Sequence, residues 1–248
     1  MVDMRLSFVI PAYNEEKYIG DCLKTIIDQK NNATCEVEII VVNNASSDRT
    51  ADIVSKYPDV KLVNEPRKGI VHARRAGYLA STGDLIAHVD SDSRLTPNWI
   101  NQVVDAFSKD EKLIAFSGPV IYYDLSSYMN ALVRIFYCIG FVSYVVNRFV
   151  FRIGSLLQGG NFVVRRSALD KIGGYDTTIE FYGEDADLAR RLNKVGRVEF
   201  TFKLPMYSSG RRIQKEGAIK SAGLYGLNYF HTLFSGKPYT KTHKDIRS

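Results

Sequence analysis

The sequence predicts an α/β protein built on a mostly parallel central sheet. Two observations carry that expectation. Short β-rich apolar runs alternate with amphipathic helical stretches along residues 6–89, and the three most polar loops, "PAYNEE", "NNASSD" and "DSDS", each follow directly on one of those runs. In such sheets ligands sit beyond the carboxyl ends of the strands, so these loops are expected to converge on one crevice.

The elements follow in order. "LSFVI" (6–10) reads as a strand stopped by Pro11. The next stretch sets Ile19, Cys22, Leu23, Ile26 and Ile27 on one helical face, with Asn14 as the expected N-cap. "EVEIIVV" (36–42) is the second strand, and a helix is expected from Ser47, with Asp48 in its first turn, to the break at Pro58. "VKLVN" (60–64), a helix over "GIVHARRAGYLAST" that stops near Gly83, and the strand "DLIAHV" (84–89) continue the alternation. Thr96 followed by Pro97 is the expected start of the helix "NWINQVVDAF". "KLIAFSGPVIYY" (112–123) reads as a strand interrupted at Gly118 and Pro119, "QGGNFVVRRSALDKIGGYD" as a glycine-flanked strand and short helix, and "GEDADLARRLNKVG" as a helix with a carboxylate-rich start.

At 248 residues and 45% hydrophobic content the chain can bury a sizeable core, and no repeat, low-complexity stretch or linker divides it. Cys22, Cys35 and Cys138 form no CxxC pair and cannot all be bridged, which predicts reduced thiols in a cytoplasmic setting. The apolar run near the N-terminus is too short for a signal peptide. The net charge of +6 is concentrated: residues 206–248 hold eight Lys+Arg against two Asp+Glu, and the rest of the chain holds 25 of each. A basic tail on a neutral body predicts contact with something anionic, phosphates or acidic lipid heads. Zinc-finger spacing and RNA-binding signatures are missing, so no nucleic-acid partner is expected.

Asp90 and Asp92, one residue apart at the end of "LIAHV", offer hard oxygen donors of the kind that suit Mg²⁺ or Mn²⁺ shared with phosphate oxygens. The bland alternative is a pair of solvated charges on a surface strand. His72 and His88 belong to no spaced His/Cys set and read as packed or capping residues. Lys68 beside Gly69 reads equally as a phosphate contact or a solvated turn residue.

Four ordered motifs give the chain a resemblance to the family 2 glycosyltransferases. "FVIPAYNEEKYIGDCLKTI" resembles the family's opening strand, nucleotide loop and first helix, and "IIVVNNASSDRTADIV" its second strand and loop. "RKGIVHARRAGYLASTGDLIAHVDSDSRL" resembles its basic loop, helix and metal strand, and "GGNFVVRRSALDKIGGYDTTIEFYGEDADLARRL" its acceptor-side segment with a Glu-Asp pair. The resemblance implies the GT-A fold, a Rossmann-like nucleotide-diphospho-sugar transferase architecture. It implies Pro11, Ala12, Tyr13 and Glu15 lining the nucleotide pocket, Asn44 near the base and Arg74 near the diphosphate. It implies Asp90 on the ribose side and able to share the metal, Asp92 on the metal, Asp185 as catalytic base and Glu184 supporting it. Residues 1–205 would form the catalytic domain, with 1–95 its nucleotide-binding half and 96–205 its acceptor-side half. Residues 206–248 would close or flank the site, with Arg211 and Arg212 candidates to clamp the diphosphate or, equally, members of an ordinary basic loop.

The implied activity is inverting, metal-dependent transfer of a sugar, a hexose above all, from a nucleotide-sugar donor to an acceptor hydroxyl. The acceptor would be a sugar, a lipid-linked sugar or a cell-envelope polysaccharide. Where the family often has two acidic residues after its second strand, this chain has Asn43 and Asn44, an amide that can still pair with a base edge. UDP is the first expectation, GDP or a deoxythymidine diphosphate the next. Two other readings compete. A sugar-phosphate nucleotidyltransferase would want a glycine-rich loop after the first strand, which "PAYNEE" does not supply, and a non-catalytic binding protein would have no need of Asp90, Asp92 and Asp185 together. The apolar stretch 126–157, with Arg134, Arg148 and Arg152 its only charges, is open to three placements: core, homo-oligomer contact, or peripheral contact with the inner face of a membrane. Core or oligomer contact is the first expectation.

Overall fold

A computed structural model of the chain describes residues 4–146, 156–179 and 183–240. The second part of the apolar stretch, with Arg148 and Arg152, and the last eight residues of the basic tail lie outside the described residues.

Seven strands form the central sheet: β1 (Arg5–Ala12), β2 (Glu36–Asn43), β3 (Val60–Asn64), β4 (Leu85–Val89), β6 (Leu113–Ser117), β8 (Asn161–Arg165) and β9 (Arg197–Phe200), in the order β3-β2-β1-β4-β8-β6-β9. β5 (Arg94–Leu95), β7 (Val120–Tyr122) and β10 (Met206–Ser208) form a second, three-stranded sheet. The first four strands run parallel, as the helical crossovers between them require. β8 runs antiparallel to both β4 and β6, so its first residue, Asn161, sits opposite Val89 at the end of the sheet where β4 exits. That reversal is the one antiparallel strand of the main sheet among the described residues.

The strands are buried on both faces because helices cover both. Leu6, Phe8 and Ile10 of β1 share a core with α1 (Ile19–Lys30) and α4 (Trp99–Lys109), centred on Trp99, whose ring lies 5.7 Å from that of Phe8. On the other face α3 (Ile70–Ala80), α6 (Arg166–Lys171) and α7 (Glu184–Leu192) pack against the strands, with Phe162 and Val164 of β8 in the α7 cluster and Val163 in the opposite one. The period-2 alternation of side chains along a strand produces that division.

Several details differ from the sequence expectations. Asn14 does not cap α1, which starts at Ile19 after Tyr18. Asn14 sits at φ 52°, and its Oδ1 accepts the Ser47 N–H at 2.9 Å. Thr96 does not cap α4 either: Asn98 precedes that helix with φ 61°, and the Thr96 hydroxyl donates to the Pro205 carbonyl at 2.7 Å. α2 (Thr50–Val54) starts later than Ser47, with Asp48 Oδ1 accepting the Thr50 N–H at 2.9 Å. The interruption at Gly118 and Pro119 is a switch between sheets, from β6 to β7. A Cβ on Gly118 would lie 1.8 Å from the Leu204 carbonyl oxygen, so the crossing chains fit only around a glycine. "SSGRRIQKEG" is not a plain loop, since it contains β10's last residue and the short helix α8 (Arg211–Glu216), followed by α9 (Ala218–Ser235).

Most of the described part of the apolar stretch is not core, although Tyr144 and Leu157 are buried. It forms α5 (Ser127–Val146), the one helix among the described residues long and apolar enough to cross a membrane, with mean hydropathy 1.6 over an 18-residue window that is only 6% buried. Of the three cysteines, all free, Cys22 and Cys35 are buried and Cys138, on α5, is exposed.

Candidate active site

The register of the sheet brings the three polar loops to one end, because Ala12 pairs with Asn43 and Val9 with His88, one residue short of Val89 and the start of "DSDS". The first two loops are stitched together by short polar bonds. Glu15 N–H donates to Thr50 Oγ1 at 2.8 Å, Glu16 N–H to Asp48 Oδ2 at 3.0 Å, and Asn14 N–H to Ser46 Oγ at 3.1 Å. Pro11 and Ala12 form the last two positions of β1, and the Ala12 carbonyl accepts the Asn44 N–H. The Tyr13 hydroxyl accepts from Lys68 Nζ at 2.7 Å, with that ammonium over the ring, so Lys68 is tied to the first loop.

Beyond β4 the chain turns sharply, with Ser93 N–H donating to the Asp90 carbonyl. The turn separates the two carboxylates: the Asp90 side chain is 40% exposed and that of Asp92 only 11%. Asp92 Oδ2 lies 3.0 Å from Arg211 Nη2, and its Oδ1 accepts the Ser208 hydroxyl at 3.1 Å. The same Arg211 nitrogen donates to Glu15 Oε1 at 2.5 Å, and the guanidinium lies over the Tyr18 ring. Burial pushes the Asp92 carboxyl up to about 7; Arg211 opposes the shift and the charges of Asp90 and Glu15 add to it. Burial works against the Arg211 charge, but its bond to Glu15 and the Asp92 charge outweigh that and hold its pKa above the ordinary value. Arg212 bonds Glu216 one turn along α8 at 3.1 Å.

The acceptor-side carboxylates reach the same place through α7. Arg74, from α3, is fully buried; it pairs with Glu184 Oε1 and lies 3.7 Å from Asp90 Oδ1. Asp185 Oδ1 accepts the Ala186 N–H at 2.8 Å, and its Oδ2 accepts the Gly159 N–H at 3.3 Å. Burial pushes Glu184 up to about 7, with Arg74 opposing and Asp185 adding. Asp185 is also raised by burial, against the pull of Arg74 and the two backbone donors. Gly160, at φ +78°, lies under Asp90 so closely that an added Cβ would stand 2.3 Å from Asp90 Oδ2.

Asn44, expected near the base, has its side-chain amide bonded to the backbone of the following loop. Its Nδ2 donates to the Glu65 and Arg67 carbonyls at 3.0 and 2.7 Å, and its Oδ1 accepts the Gly69 N–H at 2.9 Å. Both amide hydrogens are consumed in folding the loop over residues 65–69, so they are not offered to a ligand. Arg74 likewise faces carboxylates from inside the protein. His88 is packed, as expected, stacked on Phe162 and hydrogen-bonded to Tyr175, and burial keeps it neutral.

Three contributors escaped the sequence reading. Ser208 reaches Asp92 from β10, Gly159 supplies a backbone donor to Asp185, and Asp124 holds the start of α8 by accepting from Gly210 N–H and Ser209 Oγ, both at 2.5 Å. The glycine pair in "QGGN" was the available signal for the second; the others depend on contacts between distant segments.

The fit of this site to a divalent metal follows from its donors. No group of three or more His, Cys, Asp or Glu side chains among the described residues forms a cage. Mg²⁺ and Mn²⁺ need none when they share a ligand's phosphate oxygens and keep water, since one or two carboxylates then suffice. Asp90 and Asp92 supply those hard donors, and the raised Asp92 carboxyl is a group whose charge a cation would stabilise.

Residues 7–173 match the sequence profile of glycosyl transferase family 2. The chain is 32% identical over 204 residues to the probable glycosyltransferase YdaM of Bacillus subtilis, covering 77% of this chain and 47% of that protein, so it spans about half of that relative's length. Its fold is similar to the mannosyltransferase PcManGT of Pyrobaculum calidifontis, solved with GDP-Man and Mn²⁺ (TM-score 0.68, 19% identity, 95% of this chain and 64% of that one). It is also similar to glucosyl-3-phosphoglycerate synthase of Mycobacterium tuberculosis, solved with Mn²⁺, UDP-glucose and phosphoglyceric acid (TM-score 0.60, 19% identity, 96% and 82%).

Proposed function

The chain belongs to glycosyl transferase family 2, and on that premise we propose that it transfers a sugar from a nucleoside-diphosphate sugar to an acceptor hydroxyl with inversion at the anomeric carbon. The observation that carries the reading is the link made by Arg74, which joins Asp90 at the end of β4 to Glu184 at the start of α7. A donor diphosphate held at Asp90 and Asp92 would then lie beside Asp185.

The loops after β1 and β2, with Pro11, Ala12, Tyr13 and Glu15, would take the nucleotide. Asp92 and Asp90 would hold Mg²⁺ or Mn²⁺, which supplies positive charge against the departing diphosphate. Asp185 would accept the proton of the acceptor hydroxyl as its oxygen bonds the anomeric carbon and the bond from that carbon to the diphosphate breaks. Its raised pKa makes it a stronger proton acceptor than an ordinary carboxylate. Glu184, fixed by Arg74, would keep Asp185 oriented. Arg211 would move from Glu15 and Asp92 to the donor's phosphates, a planar donor exchanging carboxylates for phosphate oxygens. UDP is the favoured nucleotide and a lipid-linked or polysaccharide hydroxyl the favoured acceptor.

A thermal-shift screen of nucleoside diphosphates and their sugars, each with and without Mn²⁺, tests this reading. Stabilisation by at least one uridine ligand that requires Mn²⁺ is expected. No metal-dependent shift with any nucleotide would overturn it.

A further inference from the structure

α5 carries an exposed apolar face that the catalytic reading leaves unused. Tyr128, Leu132, Ile135, Ile139, Val142 and Val146 recur at helical spacing, and each is exposed, Ile135 by 57% and Ile139 by 61%. α9 packs beside α5 and exposes Tyr225, Leu227 and Phe230. Ten of the fifteen large exposed apolar side chains among the described residues therefore belong to two adjoining helices. Soluble surfaces normally scatter such residues singly.

We propose that the α5–α9 face docks on an anionic lipid bilayer, lying in its interface without crossing it. Charge selects this occupant. Among the described residues, 125–146 and 218–240, which contain both helices, carry Arg134, Lys220 and Lys237 and no Asp or Glu. Arg134, Lys220 and Lys237 are exposed in the structure. A second copy of the chain docked on the same face would bring the same positive charge against itself, whereas acidic lipid heads complement it. The exposed aromatic rings of Tyr128, Phe136, Tyr225 and Phe230 suit the headgroup level.

The inner side of α5 explains why it lies flat. Asn130 bonds the Tyr122 N–H and carbonyl through its amide, the Tyr137 hydroxyl accepts from Val120 N–H and donates to Gln158 Oε1, and the Tyr144 hydroxyl donates to the Val198 carbonyl. A helix crossing the bilayer would have to abandon all three anchors and carry Arg134 inside it. The face is thus held against β7 and β9 on one side and, among the described residues, exposed on the other.

Vesicle flotation of the full chain tests the proposal and needs neither donor nor metal, so its failure is separate from failure of the transferase reading. The protein is expected to float with vesicles of phosphatidylcholine and phosphatidylglycerol, much less with phosphatidylcholine alone, and to be released by alkaline carbonate. The I135D/I139D variant is expected to lose flotation with an unchanged melting temperature. K220E and K237E, at exposed polar positions, are each expected to lower binding to the anionic vesicles by about fivefold or more. No flotation with anionic vesicles, a stable dimer that does not float, or retention through carbonate would each overturn it.

Discussion

The Arg211 guanidinium stands 3.0 Å from the Asp92 carboxylate and also bonds Glu15, so one cation from α8 holds two carboxylates that come from the loops after β1 and β4. The same place is where a divalent cation and a diphosphate would meet. Arg211→Ala is therefore expected to act in two directions. Mn²⁺ alone should bind about fivefold tighter by calorimetry, since a partly buried pair of this kind competes by about 1 kcal/mol. Transfer should fall about 100-fold, because the leaving diphosphate loses a positioned donor. Weaker Mn²⁺ binding in the variant would refute the competition.

Asp185→Asn is expected to lower the transfer rate by about 10²–10⁴-fold while donor affinity stays within about twofold, the pattern of a lost general base. Undiminished turnover would remove Asp185 from that role. Glu184→Gln should lose less rate and more stability, since it leaves the buried Arg74 with only the more distant Asp90 carboxylate.

The pH dependence of rate and of stability should run in opposite senses. Glu184 is raised from 4.5 to about 7 in the folded protein, and Asp185 is raised as well. A carboxyl with a raised folded pKa keeps its proton when the unfolded chain has already released it, so stability falls as pH climbs from the unfolded value through about 7. Transfer needs the base ionised and should rise as pH climbs above the ordinary carboxylate range, with apparent pKa values belonging to the Glu184–Asp185 pair. Initial rates and melting temperatures across that range check both limbs.

Gly160→Ala is expected to cost about 1–3 kcal/mol, because a side chain at φ +78° is strained and its Cβ would press on the Asp90 carboxylate. Urea unfolding measures the loss. Donor binding should weaken in parallel if Asp90 is displaced.

Asn44→Ala should cost about 2 kcal/mol or more, since it strands two carbonyls and one N–H of the loop over residues 65–69. Asn44→Asp offers acceptors where two donors are needed and should not rescue it. Rescue by aspartate would point instead to a direct contact with ligand.

The sequence alone determined the parallel half of the sheet and the end of it at which the polar loops gather. Strands β1 to β4 and helices α1 and α3 follow from local periodicity, and a polar loop after a buried parallel strand can lie only at the strand's carboxyl end. Tertiary structure decided the rest, because it depends on which distant segments meet. The reversal of β8, which sets Gly159 and Gly160 against Asp185 and Asp90, leaves no local mark in "NFVVR". Asn44 has the chemistry to read a base, and only the path of residues 65–69 shows that the backbone consumes it. Arg211 sits in a basic, Ser/Gly-rich stretch indistinguishable from a solvated loop until β10 pairs with β5 and β7 and carries it to Asp92. Period and composition fix what a segment can bury and where its polar ends emerge; which charge meets which is fixed only when the segments pack.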